Sequence, residues 1–320
     1  MAKIVCTSSL FPEEVDRLED AGHTAWVPSE APVLREDLEA ELVDAEALIC
    51  LLNDPVDRGL LRGASNLRIV ANVAVGYENV DVGAASELGI AVTNTPDVLT
   101  ETTADLTFAL LLAAARRIAE ADAALRQGEF PGWGLDQPLA GLDVHGKTLG
   151  IVGMGRIGTA VGRRARLGFG MKILYHNRSR NEPAERELEA ERMEFEDLLA
   201  ASDFVSVHVP LTDGTRHLFD REAFARMRPT AIFVNVARGP VVDEDALVRA
   251  LDAGEIAGAG IDVFEHEPEV HPGLLRLHER VVLTPHLGSA TTETRRAMAR
   301  LAVGNVLAVL DGREPLTPVN

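Results

Sequence analysis

Three side chains in this sequence have the chemistry to hold a carboxylate and move a proton beside it: Arg238, Glu267 and His286. Each follows an apolar run that reads as a buried strand. Arg238 stands in Asn235-Val236-Ala237-Arg238-Gly239, after Ile232-Phe233-Val234. Glu267 stands in Asp262-Val263-Phe264-Glu265-His266-Glu267-Pro268, and His286 in Leu283-Thr284-Pro285-His286-Leu287-Gly288. A residue just beyond the carboxyl end of a parallel strand faces the crevice where ligands bind. A guanidinium fork matches a carboxylate, and a histidine with a glutamate can act as acid and base. Singly, each has a plainer reading. An arginine after a strand is commonly an ion pair, a lone histidine is commonly structural, and Glu265, Glu267 and Glu269 share one acidic loop. Their joint placement along one sheet edge is what suggests a site.

The second motif is Gly153-Met154-Gly155-Arg156-Ile157-Gly158, directly after the apolar run from Thr148 to Val152. A strand that breaks into G-x-G-x-x-G and opens a helix is the dinucleotide-binding fingerprint. Gly153 permits the tight turn, Gly155 lets backbone approach a pyrophosphate, and Gly158 lets helix and strand pack closely. The N–H groups of the new helix then face the phosphates. Almost half the chain precedes this motif. Another domain therefore begins first, and the cofactor domain is inserted into it or follows it.

The nature of the dinucleotide is read from the next strand. A site for NAD usually carries an acid about 20 residues beyond the glycines, bonded to the ribose 2′-hydroxyl. Here Lys172-Ile173-Leu174-Tyr175-His176 ends in Asn177-Arg178-Ser179-Arg180, with no acid. Guanidinium groups suit a 2′-phosphate, which a carboxylate would repel. NADPH is expected as the preferred cofactor, with NADH possible; the plainer reading is that both arginines only solubilise a loop.

These residues need elements to position them. Strand-like runs at Ile4 to Thr7, Ala47 to Leu52, Leu67 to Val73 and Ile90 to Thr93 alternate with helical segments at Glu13 to Ala21 and Leu34 to Val43. Pro12 falls where a helix start tolerates proline. One long helical pattern runs from Thr102 to Gln127, with Leu106, Ala109, Leu110, Ala113 and Ala114 on its apolar face. The Gly- and Pro-containing stretch from Gly128 to Gly141 reads as a loop. Six further strand-like runs follow, at Thr148, Lys172, Phe204, Ala231, Gly260 and Val281, and a last helix from Thr291 to Leu310. The expected fold is α/β, with two doubly wound parallel-sheet domains: a Rossmann cofactor domain inserted into a flavodoxin-like one. The boundaries are expected at residues 1–97, 98–289 and 290–320.

The 320 residues and hydrophobic fraction of 46% suit two globular cores. A net charge of −19 argues against nucleic acid as a general partner. Only three lysines occur, at 3, 147 and 172, which fits either a salt-adapted organism or an Arg- and Ala-rich genome. Cys6 and Cys50, both in apolar runs, are expected reduced and buried. No membrane span or secretory signal is seen, so a soluble cytoplasmic protein is expected. No metal site is proposed.

Several motifs extend the pattern into the first part: Leu51-Leu52-Asn53-Asp54, Asn72-Val73-Ala74-Val75-Gly76-Tyr77-Glu78-Asn79-Val80-Asp81 and Thr93-Asn94-Thr95-Pro96. Together with the motifs around Gly153, Arg238, Glu267 and His286, they resemble the D-isomer-specific 2-hydroxyacid dehydrogenases in order and spacing over essentially the whole chain. The Leu51 segment and the 177–180 turn look most like the glyoxylate/hydroxypyruvate reductases.

The resemblance implies reduction of a small 2-oxo acid with hydride from the nicotinamide. Arg238 would bind the substrate carboxylate and 2-oxo group. His286 would donate the proton, and Glu267 would bond His286 and favour its charged form. The backbone of Val75 and Gly76 would cradle the carboxylate from the substrate domain, which clamps over the site, and Leu52 would line the side of the substrate's own substituent. Asp262 would hold the nicotinamide carboxamide, Thr103 would approach the nicotinamide, and Val236, Ala237 and Gly288 would be further cofactor contacts. Arg156 and Ile157 would contact the pyrophosphate, and Val209, Pro210 and Thr215 the adenosine side. The segment from Thr102 to Gln127 would form a homodimer interface, and Trp133 is the candidate to reach the partner's substrate. Two features depart from the family pattern: Glu78-Asn79 replaces Asp-Asn, and the loop from Gly128 to Gly141 is shorter or irregular. The alternatives are a D-lactate-type or phosphoglycerate-type dehydrogenase, or a dinucleotide-sensing binding protein. The complete Arg/Glu/His set and the lack of basic surface speak against the last.

Overall fold

The computed structural model describes residues 1–30, 32–130 and 132–320. The chain forms two compact units, Met1–Leu99 with Thr291–Asn320, and Thr100–Ala290. Both are α/β units built on wholly parallel sheets.

The first unit carries β1 (Lys3–Cys6), β2 (Thr24–Trp26), β3 (Ala47–Cys50), β4 (Ile69–Asn72) and β5 (Ala91–Thr93), in the order β2-β1-β3-β4-β5. This is the flavodoxin-like order. β3 and β4 are buried along their whole length, as expected where helices cover both faces of a parallel sheet. The helix Thr292–Leu310 packs on β4 and turns Met298, Ala299, Ala302, Val303 and Val306 into the core. Its last carbonyls are held by Arg68, whose Nη2 donates to Val309 O at 2.6 Å. The edge of β5 is not left open. Val319 N donates to Val92 O at 2.8 Å, and Val92 N donates to Asn320 Oδ1 at 2.8 Å.

The second unit has seven strands: β6 (Thr148–Val152), β7 (Lys172–His176), β8 (Glu191–Arg192), β9 (Phe204–Val207), β10 (Ile232–Asn235), β11 (Gly258–Ile261) and β12 (Val281–Leu283). Their order is β12-β11-β10-β9-β6-β7-β8. The side-chain period of two divides each strand between two cores. Ile232 and Val234 face one with Tyr175 and Phe108; Phe233 faces the other with Phe219 and Phe224.

Three sequence expectations need correction. The second sheet has seven strands rather than six, because β8 pairs over only two exposed residues and carries no apolar alternation. The first sheet gains the edge strand β2, whose three residues are too few to show a periodic pattern. The single helix expected from Thr102 to Gln127 is two, Thr100–Ala115 and Ile118–Arg126. Between them Arg117 adopts φ +53°, a left-handed conformation costing a non-glycine residue roughly 1–2 kcal/mol. Its side chain offsets that. It grips Glu120 through Nε at 2.7 Å and Nη2 at 2.6 Å, and Nη1 donates to Pro138 O at 2.5 Å. Only the first of the two helices feeds the core; Ile118–Arg126 buries no residue.

Candidate active site

In the second unit β6 is the switch point. The chain runs outward on one side through β7 and β8, then returns to β9 on the other. The carboxyl ends of β6 and β9 bound the ligand crevice of such a sheet. Gly153, at φ +102°, sits where a Cβ would lie 2.6 Å from the carbonyl carbon of His208, just beyond β9. A Cβ on Gly158 would lie 2.2 Å from Gly153 O. Gly155 differs: nothing lies within 4 Å of its Cβ position. It also precedes the helix Arg156–Arg163, whose start has no side-chain cap. An uncapped helix N-terminus behind a glycine that faces open space fits a dinucleotide pyrophosphate.

The loop is braced from the next strand. Met154 N donates to Asn177 Oδ1 at 2.7 Å, and Asn181 Nδ2 donates to Met154 O at 2.8 Å. Asn177 thus spends its amide on the glycine loop. Beyond it, Arg178 and Ser179 are exposed. Arg180 is instead paired with Glu185, through Nε at 3.2 Å and Nη2 at 2.5 Å. Arg180 and the Tyr175 hydroxyl hold the Glu185 carboxyl down at about 2. The sequence did not single out Arg192, which donates to Asn177 O at 2.9 Å and holds the turn from the edge strand β8. In the 210–215 loop, Thr215 Oγ1 donates to Pro210 O at 2.6 Å, and Val209 enters the loop half-buried.

β10, β11 and β12 are parallel neighbours, so the segments after them emerge at one edge. Asn235 builds the first turn: Oδ1 accepts from Ala237 N at 3.0 Å and Nδ2 donates to Arg238 O at 3.1 Å. Val236 and Ala237 are buried beneath it. Arg238 itself is extended, with Nη1 donating to Ala237 O at 2.8 Å. A Cβ on Gly239 would lie 1.9 Å from Phe264 C, so only glycine lets the arginine turn lie against the glutamate loop.

In that loop Phe264 N donates to Glu267 Oε1 at 3.0 Å, and Glu267 Oε2 lies 2.8 Å from His286 Nδ1. Burial pushes the Glu267 carboxyl up. The bond and charge of His286, the Phe264 amide and the charge of Arg238 outweigh that and hold it below the usual glutamate value. His286 has φ +53°, and its N–H is shared by Asp262 O at 2.9 Å and Thr284 O at 3.0 Å. Asp262 is fully buried and shapes the same turn. Its Oδ1 accepts from Thr284 Oγ1 at 2.6 Å and Leu287 N at 2.7 Å, and its Oδ2 from Gly288 N at 2.9 Å. Burial nonetheless pushes the Asp262 carboxyl above its usual value. Thr103 joins it: a Cβ on Gly288 would lie 3.4 Å from Asp262 Oδ2 and 3.5 Å from Thr103 Cγ2. His208, by contrast, is pushed down to about 3 by burial, which favours its neutral form.

In the first unit, Leu52 follows β3 while Val75 and Gly76 follow β4. Asn79 ties their loops together, its Nδ2 donating to Leu51 O and Asp54 O, each at 3.0 Å. Asn72 donates to Gly76 O at 2.8 Å, and Asn94 to Val75 O at 2.7 Å. Asn79 therefore carries the bracing of this loop, and the glutamate before it is exposed. Both cysteines are buried free thiols; burial pushes the Cys6 thiol up to about 12. Trp133 is 82% exposed, in a loop where Pro131 lies outside the described residues. Among the described residues no metal-binding cluster occurs, and no helix is long and apolar enough to cross a membrane.

Comparison with known proteins follows the same outline. Residues 108–288 match the family model described as the NAD binding domain of D-isomer specific 2-hydroxyacid dehydrogenase. The chain is 52% identical to the glyoxylate reductase of Korarchaeum cryptofilum over 99% of this chain and 96% of that protein. The TT0316 protein of Thermus thermophilus superposes with a TM-score of 0.93 at 44% identity, over 99% of this chain and 100% of that one. The NADPH-dependent glyoxylate/hydroxypyruvate reductase of Sinorhizobium meliloti, solved with NADP and malonate, gives a TM-score of 0.86 at 37% identity over 99% and 96%. Matched in its nucleotide domain and along its whole length, this chain belongs to the D-isomer-specific 2-hydroxyacid dehydrogenases and is an NAD(P)-dependent enzyme of that family.

Proposed function

We propose that the protein reduces glyoxylate and hydroxypyruvate to the corresponding 2-hydroxy acids, with NADPH preferred and NADH accepted. The observation that carries this reading is the His286–Glu267 pair, 2.8 Å apart on the same sheet edge as Arg238. A bound nicotinamide supplies the hydride. Arg238 binds the substrate carboxylate and orients the 2-oxo group. With Nδ1 engaged by Glu267, His286 presents Nε2 to the carbonyl oxygen and delivers the proton as that oxygen gains charge. Glu267, ionised, holds the imidazole in place and balances its charge. Leu52 and the backbone of Val75 and Gly76 are proposed as further substrate contacts.

For the cofactor, Gly153, Gly155, Arg156, Ile157 and Gly158 hold the pyrophosphate, and Asn177 braces their loop. Val209, Pro210 and Thr215 line the adenosine. Thr103, Val236, Ala237, Asp262 and Gly288 surround the nicotinamide. Preference for NADPH rests on the exposed Arg178 and Ser179, where no acid competes for the 2′-phosphate. Arg180 can join them only by releasing Glu185, its largely buried partner. A homodimer is proposed through the second of the two helices and its following loop. Ile118, Leu125, Phe130 and Leu135 are 54%, 59%, 67% and 93% exposed there, beside Trp133. A cytoplasmic location is proposed with it. The names of the Korarchaeum and Sinorhizobium relatives support the substrate class. The test is cofactor oxidation with glyoxylate, hydroxypyruvate and pyruvate, each with NADPH and NADH. Turnover of the first two, faster with NADPH, is expected; no turnover with either, or a preference for NADH, overturns the reading.

A further inference from the structure

Behind the His286–Glu267 pair lies a carboxylate that the proposed chemistry does not use. Glu244 is the first residue of the helix Glu244–Ala253 and is only 5% exposed. A glutamate at a helix start ordinarily points to water and complements the helix dipole. This one is buried, and its Oε1 accepts the N–H of Glu265 at 2.9 Å. Burial pushes its carboxyl up, with Glu265 adding to that and the Glu265 N–H, His271 and His266 opposing it. A buried acid is retained at a cost unless it is bonded, and here the bond goes to the loop that carries Glu267.

The loop is gripped on two sides. Gly239 packs directly on the Phe264–Glu265 peptide, close enough that a Cβ would meet Phe264 C and O at 1.9 Å. Glu244 holds the N–H of that same peptide. The preceding N–H, of Phe264, goes to Glu267 Oε1 at 3.0 Å, and Glu267 Oε2 goes to His286 Nδ1 at 2.8 Å. The Glu265 side chain is itself held, 2.6 Å from His217 Nε2. One short segment, 238–244, thus carries Arg238 at one end and the anchor of the proton-donor loop at the other.

We propose that Glu244 is a positioning residue: by fixing the Glu265 amide, it sets the Phe264–Glu267–His286 hydrogen-bond chain relative to Arg238. This rests on the reading of His286 as the proton donor. What Glu244 must supply is an acceptor at the right reach, not a charge.

The full chain tests this with Glu244→Ala, Glu244→Asp and Glu244→Gln beside His286→Asn. Glutamine presents the same oxygen to the Glu265 amide, whereas aspartate falls a methylene short. Alanine and aspartate are expected to lower kcat for glyoxylate roughly ten- to a hundredfold through loss of alignment. They are also expected to move the pH profile of kcat/KM and the NMR titration of the His286 ring in the cofactor-free protein. The dinucleotide Kd should stay within about twofold, a change of no more than roughly 0.4 kcal/mol. Glutamine should restore kcat, pH profile and ring titration. Parent-like kcat and titration in Glu244→Asp overturn the proposal, even if the alanine variant does not fold. A glutamine variant as impaired as aspartate also overturns it, by showing that the charge is what matters. If His286→Asn keeps its turnover, the proton-donor reading has failed instead. If it loses turnover while Glu244→Asp does not, only this inference has.

Discussion

The imidazole of His286 is held by Glu267 on its Nδ1 side at 2.8 Å, while its own backbone, at φ +53°, is held through the N–H by Asp262 and Thr284 carbonyls. Ring and main chain are therefore fixed by different residues, and each can be tested alone. Replacing His286 by asparagine removes the acid without touching the cofactor loop. The expected result is a fall in kcat of roughly a hundred- to ten-thousandfold with dinucleotide affinity nearly unchanged. Steady-state rates beside fluorescence titration of NADPH measure the two; a proportionate loss of both would place His286 in cofactor binding.

Glu267→Gln keeps the shape and removes the charge. The carboxylate balances the charge of a protonated ring 2.8 Å away, so kcat for reduction should fall in the variant while the dinucleotide Kd stays nearly unchanged. Stability gives a second readout. A carboxyl held below its usual value contributes fully above the ordinary glutamate pKa, and the contribution is lost as pH falls through the lowered one. The stability gap between parent and variant should therefore be present at neutral pH and close in acid, as read by denaturant melts across that range.

The three glycines of the loop should fail in different ways. Gly158→Ala forces a Cβ to within 2.2 Å of Gly153 O, a strain of about 1–3 kcal/mol or more, and the variant should melt early. Gly155→Ala has open space around it. It should melt near the parent temperature while its dinucleotide Kd rises about tenfold or more, because the methyl occupies ground a pyrophosphate needs. Equal cofactor binding by Gly155→Ala and parent would contradict the assignment of the loop.

Arg178→Ala tests the choice of dinucleotide. A charge-assisted bond is worth about 1.5–3 kcal/mol, so the NADPH-to-NADH ratio of kcat/KM should fall roughly ten- to a hundredfold. Arg180→Ala should move that ratio less, since Arg180 is already committed to Glu185. The reverse ranking would identify Arg180 as the phosphate ligand.

Ile118→Asp with Leu125→Asp places two charges on the exposed helix, whose residues contribute nothing to its own core. Sedimentation should report the 34.4 kDa monomer where the parent sediments as a dimer, with thermal stability of the monomer retained. A parent that is itself monomeric would refute the interface.

What the sequence reveals and what it hides follow from physics. β6, β9 and β10 are mostly apolar because both sheet faces are buried, and such runs are legible. β2 and β8 are edge strands of three and two residues, too short for hydrophobic periodicity to register. The break at Arg117 is hidden because the residue is a good helix former, turned left-handed by contacts that include one with Pro138, 21 positions away. At the site, Arg238 and His286 stand out by following strands. Glu267 could not be separated from Glu265 and Glu269 by pattern alone, since three acids share one loop. Glu244 and Asn235 are invisible in a different way. Asp243-Glu244 reads as an ordinary helix start, and Asn235 as an interruption of an apolar run. Only the fold shows that their side chains hold backbone amides of the site.

The first unit is completed by residues far downstream of its beginning. Its β4 face is covered by the helix Thr292–Leu310, and its β5 edge by Val319 and Asn320. The second unit, Thr100–Ala290, is one uninterrupted segment. During synthesis the middle of the chain can close its two cores while the start still waits, with an apolar sheet face and an unpaired edge uncovered. The residues made before the second unit are thus sheltered after it. A nascent chain paused near Ala290 would present that uncovered sheet to whatever binds exposed strands.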